Sequence, residues 1–331
     1  KAIRRQRQMC IRDSVRGVWV SNVANIDTPK GLPVAQYQQY LQQMVKNIAS
    51  YHMNTIIFQV RPCNDAFYQS KLNPWSRYIT GCEGKDPGFD VLQFVIDEAK
   101  KYGIRVHAWM NPYRVSQTAL DLEHQDIDDA IQAYVDTLDD LNFAKRHPEH
   151  LVVDGTNKVI LAPSHKEVID FVTKSIMEVV ENYDIEGVHI DDYFYPTQEE
   201  SFDTAAFKES GNSDLKQWRT ENIDNLVKGV YNTIKNVNPN IIFGISPQGN
   251  IDSDCNVLYA DVKKWCSEEG YCDYIVPQIY YGFENESLPF ENTVNEWLKL
   301  NTCDNVKLII GICTYKIGKE DKWAGSGKNE W

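Results

Sequence analysis

The chain is 331 residues long, 42% of them hydrophobic, with a formal net charge of −13 at pH 7. That supplies core enough for one large domain or two small ones, and the acidic balance disfavours nucleic acid, which is held through its phosphates. No apolar run reaches the length of a membrane span.

Residues 4–14 read RRQRQMCIRDS, the translation of one frame of a common sequencing-library transposon adapter. Residues 1–14 are therefore expected to be a non-native tail that packs against nothing, leaving 15–331 as the domain proper. From there strand-like and helix-like segments alternate. "RGVWVSN" (16–22) precedes a helix over 34–52, and "TIIFQVR" (55–61) precedes a long loop and a helix near 90–102. "RVHAWMN" (105–111) opens a long excursion over 112–164, with a helix near 126–146. Its "LVVDGTNKVIL" resembles a hairpin with Asp154 and Gly155 as the turn. A helix near 165–182 leads to "GVHIDD", and another near 214–236 leads to "IIFGISP" (241–247). A helix near 257–269 precedes "YIVPQIY" (274–280), and one near 290–300 precedes "KLIIGIC" (307–313).

Alternation of this kind argues for a parallel sheet covered by helices, closing as an α/β (β/α)8 TIM barrel. The chain stops where an eighth strand is due, so the barrel is expected to be truncated before it. No linker-like stretch divides the sequence.

Side chains alternate faces along a strand, and four strands carry an apolar and a polar face. Ile56, Phe58 and Val60 oppose Gln59 and Arg61; Val106, Ala108 and Met110 oppose His107, Trp109 and Asn111. Val188 and Ile190 oppose His189 and Asp191, and Ile275 and Ile279 oppose Gln278 and Tyr280. The polar set becomes richer toward the C-terminal strand ends, where barrel enzymes place their sites. Burying an arginine, an aspartate and several amides for structure alone carries a large desolvation cost. His107 and His189 lie below the strand ends and are read as buttressing the site.

Seven cysteines follow Cys10, with no CxxC spacing. A zinc centre or a dense disulfide framework is not expected. Buried free thiols are, with a Cys63–Cys82 bridge across one loop as the alternative. His107, His189 and Asp191 could converge on a metal, but no HxH pair or carboxylate cluster accompanies them, so no metal and no cofactor is expected.

The stretches "FQVRP…DAFYQSKLNPWS", "PGFDVLQFVIDEAKKYGIRVHAWMNPYR", "YDIEGVHIDDYFYP", "FGISPQG" and "YIVPQIYYGF" resemble glycosyl hydrolase-like family 10. The resemblance runs from about Arg16 to Trp323. It implies a bacterial TIM-barrel domain of an exported or envelope-associated protein, hydrolysing glycans, with peptide-free peptidoglycan strands as the substrate class. Tyr281 stands where tryptophan is expected in the family.

The resemblance also gives the adjacent Asp191 and Asp192 a use. In substrate-assisted glycosidases the sugar's 2-acetamido oxygen is the nucleophile. One carboxylate orients the acetamide and a second protonates the leaving oxygen. Hexosaminidases that remove O-linked GlcNAc carry such an Asp–Asp pair after the fourth strand; chitinases end a related run in glutamate, where Tyr193 stands here. Asp191 would orient the acetamide, Asp192 would be general acid/base, and Tyr280 would donate to the acetamide oxygen. Gln278 and Asn111 would bind sugar hydroxyls, Arg61 and Arg114 a lactyl carboxylate. Tyr113, Tyr193 and Tyr195 would stack on sugar faces or pack the barrel rim. Asp192 falls on the helix-facing parity, so this requires it to lie beyond the last regular strand residue. The alternatives are a conventional two-carboxylate enzyme using Asp191 and Glu284, a metal-dependent hydrolase, and a carbohydrate-binding barrel that turns nothing over.

Overall fold

The structure is a computed structural model and describes residues 14–192 and 194–331. The proposed tail, with the exception of Ser14, lies outside the described residues, as does Tyr193.

Seven strands form one parallel sheet: β1 (Gly17–Val20), β2 (Thr55–Arg61), β3 (Arg105–Met110), β6 (Gly187–Ile190), β7 (Ile242–Ile245), β8 (Tyr274–Ile275) and β9 (Lys307–Leu308), in that order. The sheet curls far enough that the Trp19 ring approaches Gly311, but β1 and β9 do not pair among the described residues. The fold is therefore mixed α/β, a curled parallel half-barrel. A separate antiparallel hairpin, β4 (Leu151–Val153) and β5 (Val159–Leu161), stands beside the loop after β3, where Arg114 bridges Ile160.

The helices cover the outer face. In α1 (Val34–Ser50), Tyr37, Leu41, Val45 and Ile48 make one buried stripe at helical spacing. Asp90 caps α2 (Val91–Lys100) by accepting from the Gln93 amide. Further on come α3 (Ile127–Asp136), α4 (Phe143–Arg146), α5 (Lys166–Asn182) and α6 (Leu215–Val237). Ile56, Phe58, Val60, Val106, Ala108, Val188 and Ile190 pack into the core under these helices, as strand parity requires.

Several boundaries differ from the sequence reading, each for a local reason. The helix over 126–146 breaks because Asn142, buried and accepting from Asn64, caps a new turn at Ala144. The helix expected over 257–269 is shorter, α8 (Val262–Ser267), because Asp261 caps it, and a separate α7 (Ile251–Asn256), capped by Asn250, precedes it. β8 is two residues long because Pro277, lacking an N–H, interrupts the ladder. The hairpin turn is a five-residue loop whose left-handed position is Asn157 (φ 61°) rather than a two-residue Asp–Gly turn. Cys63 is buried against the Tyr78 hydroxyl while Cys82 is exposed, so the Cys63–Cys82 bridge is not formed. Cys266, Cys272 and Cys313 are buried thiols. Among the described residues, no helix is long and apolar enough to cross a membrane.

The inside of the curl is polar. Trp19 Nε1 donates to His189 Nε2 (3.2 Å), and the Tyr274 hydroxyl lies 3.1 Å from His189 Nδ1 and 2.8 Å from His107 Nδ1. Those contacts run one way: Trp19 fixes a bare Nε2 on His189, whose Nδ1–H then donates to Tyr274, which donates to His107. The rings need room, and glycine supplies it. A Cβ at Gly244 would sit 1.9 Å from the Tyr274 ring, and one at Gly187 would sit 2.7 Å from His107. Burial lowers both histidines to about 3, so both are neutral.

Candidate active site

β6 ends at Ile190, whose carbonyl accepts from the Ser246 amide at 2.8 Å. Asp191 and Asp192 both follow the strand, so Asp192 is released from strand parity and reaches the mouth, as the pairing requires. Asp191 stays inside, 5% exposed.

β2 and the segments just beyond β1 and β3 hold Asp191 in place. The amides of Asn22 and Val23 donate to Gln59 Oε1, each at 2.8 Å, which leaves Gln59 Nε2 to donate to Asn111 Oδ1 at 2.6 Å. Asn111 Nδ2 is thereby turned to Asp191 and lies 2.7 and 2.8 Å from its two oxygens. Asn111 is fully buried, so it positions the carboxylate rather than meeting a sugar hydroxyl.

The Gln278 and Gln248 side chains favour the charged form of Asp192, against the burial that raises it. The Ser253 hydroxyl donates to Gln248 Oε1 at 2.7 Å, which leaves the Gln248 amide group for the aspartate. Burial pushes both carboxyls up: Asp191 to about 7, with Arg114 pulling it down and the Asp192 charge pushing it further up, and Asp192 in the same direction. Such a pair holds one proton between its members close to neutrality.

Two clefts meet at Asp192. The first, about 340 Å³, is lined by Tyr113, Arg114, Lys158 and Pro196 among others; the second, about 380 Å³, by Gln278, Tyr280, Tyr281, Tyr315 and Trp323 among others. Asp192 and Gln248 line both. Each volume suits a small polar ligand or a sugar unit. Trp323 is 89% exposed on the rim of the second cleft, and the Tyr280 and Tyr315 rings meet edge-on at 6.1 Å. Burial and the Asp192 charge raise the Tyr280 phenol, which stays protonated and able to donate.

Of the residues expected at the site, Asp192, Gln278, Tyr280 and Arg114 are brought to the clefts, with Asp191 immediately behind. Others are not. Arg61 is fully buried and its guanidinium is spent on Asn64, on Asn73 Oδ1 (3.1 Å) and on the Asn111 carbonyl (2.6 Å), over the Phe171 ring. It clamps the backbone that carries Asn111 and does not meet a substrate carboxylate. His107 and His189 converge on Tyr274 rather than on Asp191, so they form neither a substrate contact nor a metal set with it. Tyr195 also borders the first cleft but is fully buried, its hydroxyl accepting from Asn222 at 3.1 Å, and packs on Tyr259 and Phe202. Tyr113 borders the first cleft but is buried on both faces. Packing, not stacking on sugar, is their role. Glu284 is exposed, its amide donating to Glu330 at 2.9 Å, and lines neither cleft.

One residue escaped the sequence reading. Asp254 on α7 is fully buried, accepts from the Gln248 amide at 3.0 Å through Oδ1, and has no partner for Oδ2. Burial and the Asp192 charge raise it well above the carboxylate range, so it is a neutral acid that fixes the backbone of Gln248. In the sequence it is one of several polar residues around a helix start; only its place under Gln248 singles it out.

The sequence matches the family model described as glycosyl hydrolase-like 10 over residues 14–325. It is 37% identical over 326 residues to glycosyl hydrolase YngK of Bacillus subtilis (strain 168), covering 92% of this chain and 61% of that protein. To glycosyl hydrolase DigH of Escherichia coli (strain K12) it is 32% identical over 343 residues, covering 93% of this chain and 75% of that one. The chain thus spans about three fifths of the length of the first relative. Among solved structures, the PgaB (BpsB) glycoside hydrolase domain from Bordetella bronchiseptica superposes with a TM-score of 0.53 at 8% identity, over 89% of this chain and 83% of that one. At that identity the likeness speaks for the fold alone.

Proposed function

The chain belongs to the glycosyl hydrolase-like 10 family, and from that premise we propose that it hydrolyses glycosidic bonds in N-acetylated amino-sugar polymers, peptide-free peptidoglycan strands being the substrate, outside the cell or in its envelope. The observation that carries this reading is the position of Asp192 where two clefts join, with a second raised carboxyl directly behind it.

A polymer laid through both clefts puts one sugar on each side of Asp192, and the bond between them at its carboxyl. Asp192, protonated, gives its proton to the glycosidic oxygen as that bond breaks. The acetamide oxygen of the sugar on the other side attacks the anomeric carbon, while Asp191 accepts from the acetamide N–H and Tyr280 donates to the acetamide oxygen. Asp192, now ionised, takes a proton from the water that opens the cyclic intermediate, which restores both groups. The bound acetamide N–H, donating to Asp191, favours the charged form there and shifts the pair's shared proton onto Asp192, so that one member is charged while the other holds a proton. Arg114 borders the first cleft, where it suits the lactyl carboxylate of muramic acid.

Incubation with purified peptide-free glycan strands tests the reading. New reducing ends, with N-acetylated termini by mass, are the expected products. Bound glycan without turnover would make the barrel a binding module, and neither binding nor turnover would remove amino-sugar polymers from consideration.

A further inference from the structure

A second concentration of chemically able side chains lines neither cleft. His147, which ends α4, Glu149 and His150, which leads into β4, each offer one ligand atom, and these atoms lie within 4.8 Å of one another. His147 Nδ1 is 3.1 Å from Glu149 Oε1, and His150 Nε2 is 3.8 Å from the same oxygen. The other nitrogen of His150, Nδ1, sits 2.8 Å from Nδ1 of His165, the residue that opens α5. Three of the chain's seven histidines are thus gathered within one turn of structure. The ring planes are set by packing. Phe143 stacks on His150 (interplanar 10°) and on Phe171 (14°), and lies against His147 at 4.7 Å.

The contact between His150 and His165 needs one proton on one of the two Nδ1 atoms. If His150 carries it, its Nε2 is a bare lone pair facing the Glu149 oxygen, an arrangement that a cation between them satisfies. This is also the pattern by which metal-bound histidines are oriented, with the far ring nitrogen donating to an outer partner. We propose that His147 Nδ1, Glu149 Oε1 and His150 Nε2 bind a divalent transition ion of the zinc class, with His165 orienting His150 from behind. Two imidazoles and a carboxylate suit zinc better than calcium or magnesium. Metal–ligand bonds of about 2.0–2.2 Å require the three atoms to close together by less than the present spread. The half-exposed His147 and Glu149 can do this without disturbing the core. The fourth position would be water. Because His150 leads into the hairpin, and its carbonyl accepts from Ala162 at 2.8 Å, the ion would brace the hairpin whose Lys158 and Ile160 line the first cleft.

The test is calorimetric and spectroscopic titration of chelator-stripped, thiol-reduced protein with Zn(II) and Co(II). One ion per chain is expected, with the visible absorption of four-coordinate cobalt and no thiolate charge-transfer band. His147→Ala/His150→Ala should lower the affinity by ~100-fold or more, and His165→Ala, which removes no ligand, by about 10–100-fold. Glu149→Gln provides a variant that leaves the core intact, since that side chain is 61% exposed; it should lose at least ~10-fold. No stoichiometric binding, binding unchanged in Glu149→Gln and the double variant, or cobalt bound through cysteine would each overturn the proposal.

Discussion

Replacing Asn111 by alanine removes both contacts to the Asp191 carboxyl, at 2.7 and 2.8 Å, and puts nothing in their place. Hydrogen bonds to a charged group contribute about 1.5–3 kcal/mol. At 1.36 kcal/mol per unit, losing them raises the Asp191 carboxyl by roughly 1–2 units. It already stands at about 7, so the ionised fraction at pH 7 should fall from about one half to roughly 1–10%. The assay is kcat/KM on peptide-free glycan strands against pH. The acidic limb should move up by about 1–2 units, with the rate at pH 7 down roughly 5–50-fold and recovered at higher pH. The variant should also melt earlier, because Gln59 Nε2 loses its acceptor. A uniform loss at every pH would mean that Asn111 acts on the sugar directly, and an unmoved limb would mean that Asp191 is not the titrating group.

Three further outcomes follow from the same geometry. Tyr274→Phe leaves the Nδ1 atoms of His107 and His189 without a partner, at about 1–3 kcal/mol each; the melting temperature should drop by several degrees while KM for glycan holds, and a raised KM would put the histidines in the substrate path. Asp254→Asn replaces a neutral acid by a neutral amide of the same shape, so stability should change by less than ~1 kcal/mol, whereas Asp254→Ala, leaving the Gln248 amide unpaired, should cost about 1–3 kcal/mol; equal losses would show that Asp254 is charged. The Asp191 carboxyl binds its proton more tightly in the fold than in the unfolded chain, so its contribution is fully present below about pH 4 and is lost as pH rises through about 7. Melting curves of Asp191→Asn should therefore gain on those of the unsubstituted protein between about pH 4 and pH 7, and a constant gap would show that the carboxyl is not raised.

Strand and helix alternation and strand parity were legible in the residues. The release of Asp192 beyond β6 was a condition the paired aspartates imposed and not something parity could supply. Depth was not legible either. Parity says which face a side chain takes, not whether it reaches the mouth. Arg61 shares a face with Gln59 in the sequence, yet the ladder to β3 slips between them, and Arg61 ends among Asn64, Asn73 and the Asn111 carbonyl. Gly187 and Gly244 were available as a signal, since a glycine amid apolar strand residues marks the close approach of something large; here it is His107 and Tyr274. The Gln59–Asn111–Asp191 relay depends on which amide end faces which neighbour, and that is decided by the backbone of Asn22 and Val23, distant in sequence.

The paired aspartates are tested most directly by comparing Asp191→Asn and Asp192→Asn on two substrates, peptide-free glycan strands and an aryl glycoside of an N-acetylated amino sugar whose leaving group departs unaided. Asp192→Asn should lose about 10²–10⁴-fold on the glycan and far less on the aryl glycoside, while Asp191→Asn should be impaired on both. Equal losses by Asp192→Asn on the two substrates, or a covalent ester trapped on Asp191 by a 2-fluoro sugar, would contradict the assignment.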